Sequence, residues 1–316
     1  MRTAPRLLLA CLLACFAGRA FCADRTGTGA AAFLELPVDA RGTGMGGAVT
    51  ALDGGPMAIF HNPAALAGAA RPAAAFSHAL LVQGMTYDAA GAAVPLRNGG
   101  LLGFNMLGNG VLGVGAQYLR YGSFGALDNT GAPAGTLSPV DSAFSAGYAF
   151  SPSAALSLGA ALKYIDSRIQ DSASASAMDV GLLARFGALS AGAAVQNMGG
   201  ALKFNLQDSP LAVNTRLGAA YAPRGPWRWA LDLDFPQDGA PWLAAGAEYA
   251  FSRTSGWGLT ARAGYSTEAL HTGGLNGAAA GFSLERGGLC FDYAFKPDGE
   301  LGAAHTFGLR CRFGGP

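Results

Sequence analysis

Residues 227–235 read Trp-Arg-Trp-Ala-Leu-Asp-Leu-Asp-Phe, and their alternation decides the fold. In an extended chain Trp227, Trp229, Leu231, Leu233 and Phe235 point one way, and Arg228, Ala230, Asp232 and Asp234 point the other. The neighbouring stretches repeat the pattern. In 242–251 Leu243, Ala245, Ala247, Tyr249 and Phe251 fall outward and Glu248 inward. In 257–265 Trp257, Leu259 and Tyr265 share a face opposite Thr260 and Arg262. A period of two marks strands. One apolar face with aromatic ends, opposite a charged face, is the pattern of a transmembrane β-barrel.

Composition agrees. Of 316 residues only 13% are charged and 48 are Gly, and the mean hydropathy is +0.27. Beyond the N-terminus no apolar run approaches the roughly 18–20 residues of a membrane helix. Low charge without such a helix fits a barrel, whose alternate residues face lipid; the competing reading is a Gly- and Ala-rich soluble β protein. A net charge of +1 argues against a nucleic-acid partner.

The first residues read as a secretory signal over 1–22. Arg2 and Arg6 form a basic start, Leu7 to Phe16 an apolar stretch, and Gly18-Arg19-Ala20 or Ala20-Phe21-Cys22 a small-x-small cleavage site. Leu12-Leu13-Ala14-Cys15 also resembles a lipobox, a rival reading. Cys11, Cys15 and Cys22 lie in or beside this signal. The alternation puts Cys290 on the lumen face and Cys311 on the lipid face, so no bridge between them is expected.

Candidate strands run over 72–82, 84–95, 99–107, 110–121, 139–150, 154–167, 175–186, 189–199, 212–222, 226–235, 241–251, 256–267, 277–286, 288–296 and 304–313. Long connections (122–138, 168–174, 200–211, 268–276) alternate with tight ones (151–153, 187–188, 223–225, 252–255 and Gly287). Outer-membrane barrels have long external loops and short periplasmic turns, which places the C-terminus at the periplasm. Bacterial single-chain barrels close with an even strand number. The expectation is therefore an all-β, antiparallel transmembrane barrel of about 14 strands beginning near residue 84, with 84–95 rising from the periplasm and 72–82 left out; the rival is that 99–107 is not a strand. Trp227, Phe251 and Trp257 fall at the periplasmic ends, and Phe235, Trp242 and Tyr265 at the outer ends, as two aromatic girdles.

Residues 23–71 lack the alternation and carry Gly42, Gly44, Gly46, Gly47, Gly54 and Gly55. Before a barrel over 72–316 they read as a plug, because a barrel of this size has more interior than its own side chains fill. Gly42-Thr43-Gly44-Met45-Gly46-Gly47 fits G-x-G-x-x-G, but no acid stands near 62–67, so tight backbone packing is the better reading than dinucleotide binding. His61, His78, His271 and His305 have no metal-ligand spacing, and Ser77 and His78 point to opposite faces. Neither catalytic residues nor a metal nor any cofactor is expected. Asp232, Asp234, Glu248, Arg262, Glu285, Asp292, Arg310 and Arg312 should face the lumen as a charge network. Such charges persist only when paired or wet. They read either as a salt-bridge ladder holding the plug or as a polar path.

Several motifs together resemble the PorV/PorQ family, distant relatives of the FadL outer-membrane transporters. They are the segment 30–67, Leu127-Asp128-Asn129-Thr130-Gly131, Val195-Gln196-Asn197-Met198-Gly199, Gly246-Ala247-Glu248-Tyr249, Arg262-Ala263-Gly264-Tyr265 and Asp292-Tyr293-Ala294-Phe295. The resemblance spans the mature chain and implies a 14-stranded barrel with an N-terminal hatch, whose motif corresponds to His61, Asn62, Pro63 and Ala64. The family usually has an aromatic where His61 stands and Gly where Ala65 stands; here Gly314, Gly315 and Pro316 also follow the last aromatic, Phe313. The FadL-like branch implies passage of a hydrophobic small molecule, long-chain fatty acid first, across the outer membrane of a double-membrane bacterium. The PorV-like branch implies a protein partner docked at the external loops 122–138 and 200–211. A general porin is the third expectation. In every case the lipid bilayer is the surrounding medium.

Overall fold

The computed structural model describes residues 27–96, 110–128, 130–204, 207–268 and 277–314. The expected signal over 1–22, the candidate strand 99–107 and His271 lie outside the described residues.

The described residues form eighteen strands: β1 (Ala73–Leu80), β2 (Thr86–Pro95), β3 (Val111–Arg120), β4 (Phe124–Leu127), β5 (Pro133–Leu137), β6 (Val140–Ser153), β7 (Leu156–Arg168), β8 (Ser172–Phe186), β9 (Leu189–Gly199), β10 (Ala201–Phe204), β11 (Gln207–Pro210), β12 (Asn214–Tyr221), β13 (Trp227–Pro236), β14 (Trp242–Ala250), β15 (Gly258–Ser266), β16 (Ala278–Arg286), β17 (Leu289–Pro297) and β18 (Ala303–Arg312), of which β4, β5, β10 and β11 lie in stretches expected as long connections. Fourteen of them, all but the hairpins β4–β5 and β10–β11, form one closed antiparallel barrel. Closure leaves no unpaired edge, which a wall in contact with lipid requires.

The strand number is the expected one, but its membership differs. β1 belongs to the wall: it pairs with β18 from Ala73↔Arg312 to Leu80↔His305 and with β2 from Ala73↔Ala93 to Leu80↔Thr86. β2 pairs directly with β3, so the wall closes without 99–107. The direction of the first strands is therefore reversed from expectation. β1 rises from the short-turn end, where Ala73 faces Arg312, and 84–95 descends towards it. Counting strands by evenness alone does not say which weak segment is in; pairing with the last strand does.

The lipid-facing set is the predicted one. Leu231 and Leu233 are exposed while Asp232 and Asp234 are fully buried. Trp227, Phe251, Trp257 and Tyr265 are exposed, and Trp227 packs edge-on to Tyr249 with ring centroids 4.8 Å apart. Trp242 is the exception to the girdle reading. It shares the inward side with Ala244 and Glu248, and its ring packs on the core beside Gly47. Cys290 stands opposite Arg310, and Cys311 stands opposite Leu289. The two thiols thus lie on opposite faces, and both are free.

The core lies inside the barrel. Residues 30–68 run through the lumen and supply many of its buried apolar side chains, among them Phe33, Leu34, Met45, Ile59, Phe60 and Leu66. This segment begins at the long-loop end, where the Gly27 amide bonds to the Asp238 carbonyl and Ala30 pairs with Leu211. It leaves at the short-turn end to enter β1.

Candidate functional site: the lumenal segment and its charged wall

The lumenal segment is built from single turns. Asp39 caps the turn Ala40–Gly44, its Oδ1 accepting from the Gly42 amide at 2.7 Å. Gly46 and Gly47, at φ 66° and 94°, then reverse the chain, so the G-x-G-x-x-G match ends a helical turn rather than beginning a helix. Two 3-10 turns, Pro56–Phe60 and Pro63–Gly68, each start on proline, whose fixed φ suits a first helical position.

Glycines on the inner face let this backbone touch the wall. Gly246 and Gly264 face each other across β14 and β15. A Cβ on Gly264 would lie 2.2 Å from the Gly46 nitrogen, and one on Gly246 would lie 2.6 Å from the Met45 oxygen. Gly159 and Gly181 form a second such pair across β7 and β8, filled by Asn62 to Ala64. Gly192 and Gly218 form a third, filled by Thr50 and Ala51. Part of the high glycine content is thus a track of Cβ-free contacts for the lumenal segment.

Two buried charge clusters fix the segment, besides a more exposed pair between Arg185 of β8 and Asp53. Glu248 on β14 accepts from Arg41 Nε and Nη2 at 2.9 and 2.8 Å and from Arg262 Nε at 2.7 Å. Asp232 on β13 accepts through one oxygen from the Val49 and Thr50 amides, both at 2.9 Å. Arg216 on β12 joins this second group: its Nε lies 2.6 Å from Asp234, and its Nη2 donates to the Gly47 carbonyl at 2.7 Å. Arg41 and Arg216 were not singled out in the sequence. Their partners were legible as inward acids, but two cations among 21 basic residues carried no signal of their own.

The rest of the predicted charge set divides. Arg262 reaches Asp292 at 3.3 Å, and Arg310 lies 3.8 Å from it and donates to Cys290 Sγ at 3.2 Å. Glu285 and Arg312 pair with each other at the short-turn mouth rather than deep in the lumen. Lys163, Asp179 and Asn197 form a buried cluster that the sequence reading missed. Lys163 Nζ lies 2.8 Å from Asp179 and donates to Asn197 Oδ1 at 2.6 Å. The register of β8 on β9 shifts between Met178 and Val180, and Asn197 opposite takes φ 59°. This is a β-bulge, which bends the strand locally.

The His61-Asn62-Pro63-Ala64 stretch lies against that part of the wall. Asn62 is completely buried and all its polar atoms are used. Its Oδ1 accepts from the Ala64 amide at 3.1 Å, and its Nδ2 donates to the carbonyls of Thr50 and Leu182 at 2.8 and 3.1 Å. His61 is different. Its Nε2 is 3.9 Å from Asp39 and makes no hydrogen bond. Two small cavities, one on each side of it, both reach His61 and Val49. The outer one is lined by Glu35, Arg216, Asp234 and Trp242. The inner one runs past Asp39, Met57 and Arg310, and shares Arg41, Asp53 and Arg310 with the open short-turn mouth. The spaces beside the segment thus follow one another along the lumen and are interrupted at His61.

No protein-family model matches the chain, and no curated protein sequence matches it. Its fold is shared by solved structures. The toluene transporter TodX of Pseudomonas putida superposes with a TM-score of 0.57 at 12% identity, covering 87% of this chain and 96% of that one. A FadL homologue from Pseudomonas aeruginosa gives 0.53 at 12% identity, covering 86% and 97%. At such identities the likeness establishes a FadL-like barrel fold.

Proposed function

We propose that this protein is an outer-membrane channel for small hydrophobic molecules, with residues 30–68 as its hatch. The observation that carries the reading is the row of cavities beside the lumenal segment, broken at His61. It is supported by a fold shared with TodX, described as a toluene transporter and a monoaromatic hydrocarbon channel, and with a FadL homologue. Ligand enters at the long-loop end, meets the hatch at His61, and passes when the hatch shifts. The bulge of β9, where Gln196 and Asn197 stand opposite Asp179, supplies the bent wall strand that a sideways exit requires. Long-chain fatty acids and monoaromatic hydrocarbons are the first substrates to test, and the signal, His61-Asn62-Pro63-Ala64 and the PorV/PorQ kinship belong to the same reading.

A second reading, a PorV-like protein that docks a secreted or secretory partner, is favoured by one feature. The β4–β5 hairpin holds Phe124 and Leu127 at 49% and 68% exposure, outside the wall. Uptake of labelled fatty acid and of toluene into liposomes, by the whole protein and by a deletion of 30–67, separates the two. Uptake by the whole protein supports the channel. No uptake of either compound, together with no bound lipid in native mass spectrometry, sinks it in favour of the docking protein.

A further inference from the structure

The short-turn mouth holds more basic charge than the anchors of the hatch use. Two adjoining spaces of about 410 and 690 Å³ open there. Both are lined by Arg41, Arg253, Arg310 and Arg312, against Asp53 and Glu285. Arg228 and Arg262 join the first space with Glu248, and Arg71 joins the second. Seven arginines therefore face three carboxylates. Asp292, which pairs with Arg262 and Arg310 from beside the first space, leaves a surplus of three positive charges.

That surplus is local. The whole chain carries only +1, and the cavity towards the other mouth is lined by Glu35, Asp234 and Glu268 against Arg216 and Lys296. Nor is the basic set consumed by its own acids. Glu285 is shared by Arg253, at 2.6 Å, and Arg312, and the side chains of these two arginines remain 61% and 48% exposed. Arg228, 54% exposed, reaches Glu248 only at 3.7 Å, and that carboxylate already serves Arg41 and Arg262. Arg71 bonds a neutral acceptor, the Gly314 carbonyl, at 3.2 Å.

Several guanidiniums converging on one open space, with too few carboxylates to match them, suit an anion that accepts through more than one oxygen group. A guanidinium fork binds phosphate or carboxylate through two parallel bonds. Walls of low dielectric around a one-signed mouth also focus its field and raise the local anion concentration. The geometry points to a binding site for a small polyanion, bearing phosphate or clustered carboxylate groups, at the short-turn mouth of the barrel. The site adjoins the inner hatch cavity, with which it shares Arg41, Asp53 and Arg310, but Arg71, Arg228, Arg253 and Arg312 lie outside that cavity, and the site does not depend on what passes the lumen.

The test is calorimetric titration of the full protein in detergent with inorganic tripolyphosphate, at low and at 0.3 M salt. Saturable binding near one per barrel is expected, weakened at least tenfold at the higher salt and at least tenfold in the Arg253→Gln, Arg312→Gln double variant. Arg71→Gln, which removes only a bond to a backbone carbonyl, tests the same site if the double variant does not fold, and is expected to weaken binding severalfold. Glu35→Gln, at the opposite mouth, should leave it unchanged. Absence of saturable binding, or equal affinity in the arginine variants and the parent, overturns the assignment. So does markedly tighter binding of a hexaglutamate peptide than of tripolyphosphate, which would assign the mouth to an acidic protein segment instead.

Discussion

Arg41, in the middle of the lumenal segment, grips Glu248 of β14 through two hydrogen bonds of 2.9 and 2.8 Å. The carboxylate is almost wholly buried, and its second cation, Arg262, comes from the neighbouring strand. One acid thus holds the lumenal segment to the wall and strand to strand. Removing one member of a buried pair leaves the others uncompensated, at a cost of about 3–5 kcal/mol. Glu248→Gln is therefore expected to destabilise the hatch far more than the barrel. Ion conductance in planar bilayers and protease cleavage within 30–68 should both rise, while the heat-modifiable band of the folded barrel persists. Conductance and cleavage equal to the parent's would show that this pair does not hold the hatch.

Gly264 offers a steric test of the same contact. A Cβ there would meet the Gly46 nitrogen at 2.2 Å, and backbone on both sides has little room to yield. Gly264→Val is expected to push the segment off β15 and to expose 30–68 to protease. Ala263→Val, one residue along and on the lipid face, is expected to stay within about 0.5 kcal/mol of the parent.

Asn62 is the most heavily committed side chain of the segment. Asn62→Ala removes a cap on the turn Pro63–Gly68 and leaves the carbonyls of Thr50 and Leu182 without this donor. A loss of about 1–3 kcal/mol is expected. Asn62→Asp keeps the cap but sets a carboxylate against two carbonyls, and should be no milder. Chemical denaturation in detergent, followed by tryptophan fluorescence and by hatch proteolysis, measures both. An Asn62→Ala protein as stable as the parent would remove the motif from the structural account.

His61 is expected to make the lumenal segment sensitive to acid. Burial, opposed by Asp39 and reinforced by Arg216, Arg41 and Lys163, lowers its pKa to about 4 from the usual 6.5. Between those values the unfolded chain binds the proton that the folded one refuses, so stability falls as pH drops from about 6.5 to about 4. The loss is on the order of 1–3 kcal/mol. Glu35, whose carboxyl burial pushes up to about 8, works in the opposite sense as pH falls, so the expected effect is a difference: on acidification hatch protection against protease should fare better in His61→Gln than in the parent. An identical pH profile in the two proteins would assign the acid sensitivity to other groups.

The cysteines provide a check on register. Cys290 and Cys311 lie on opposite faces of β17 and β18, so oxidants should leave these two thiols unbridged to each other. A bridge detected by mass spectrometry would contradict the pairing of the last hairpin.

The alternation at 227–235 was sufficient for the wall, because lipid outside and polar groups inside impose opposite demands on neighbouring residues. That demand also made Asp232, Asp234, Glu248, Arg262 and Asp292 readable as inward before any partner was known. It failed where one face carries no such signal. β1, rich in alanine, and the apolar stretch 99–107 look alike as strands, and only the pairing of β1 with β18 closes the barrel. Trp242 was misjudged because an aromatic at a strand end fits a girdle on either face; its packing beside Gly47 settles the face.

The sequence by itself thus determined a membrane barrel, its lipid face and the acids of its lumen, since these depend on spacing of two along one strand. Only the tertiary structure decided which residues meet inside. Arg41 and Glu248 are separated by 207 positions, and Gly46 reaches Gly264 across a similar gap. Such contacts depend on where a chain without periodicity is laid against fourteen strands, and that is set by closure, register and the absence of a Cβ at a few inward positions.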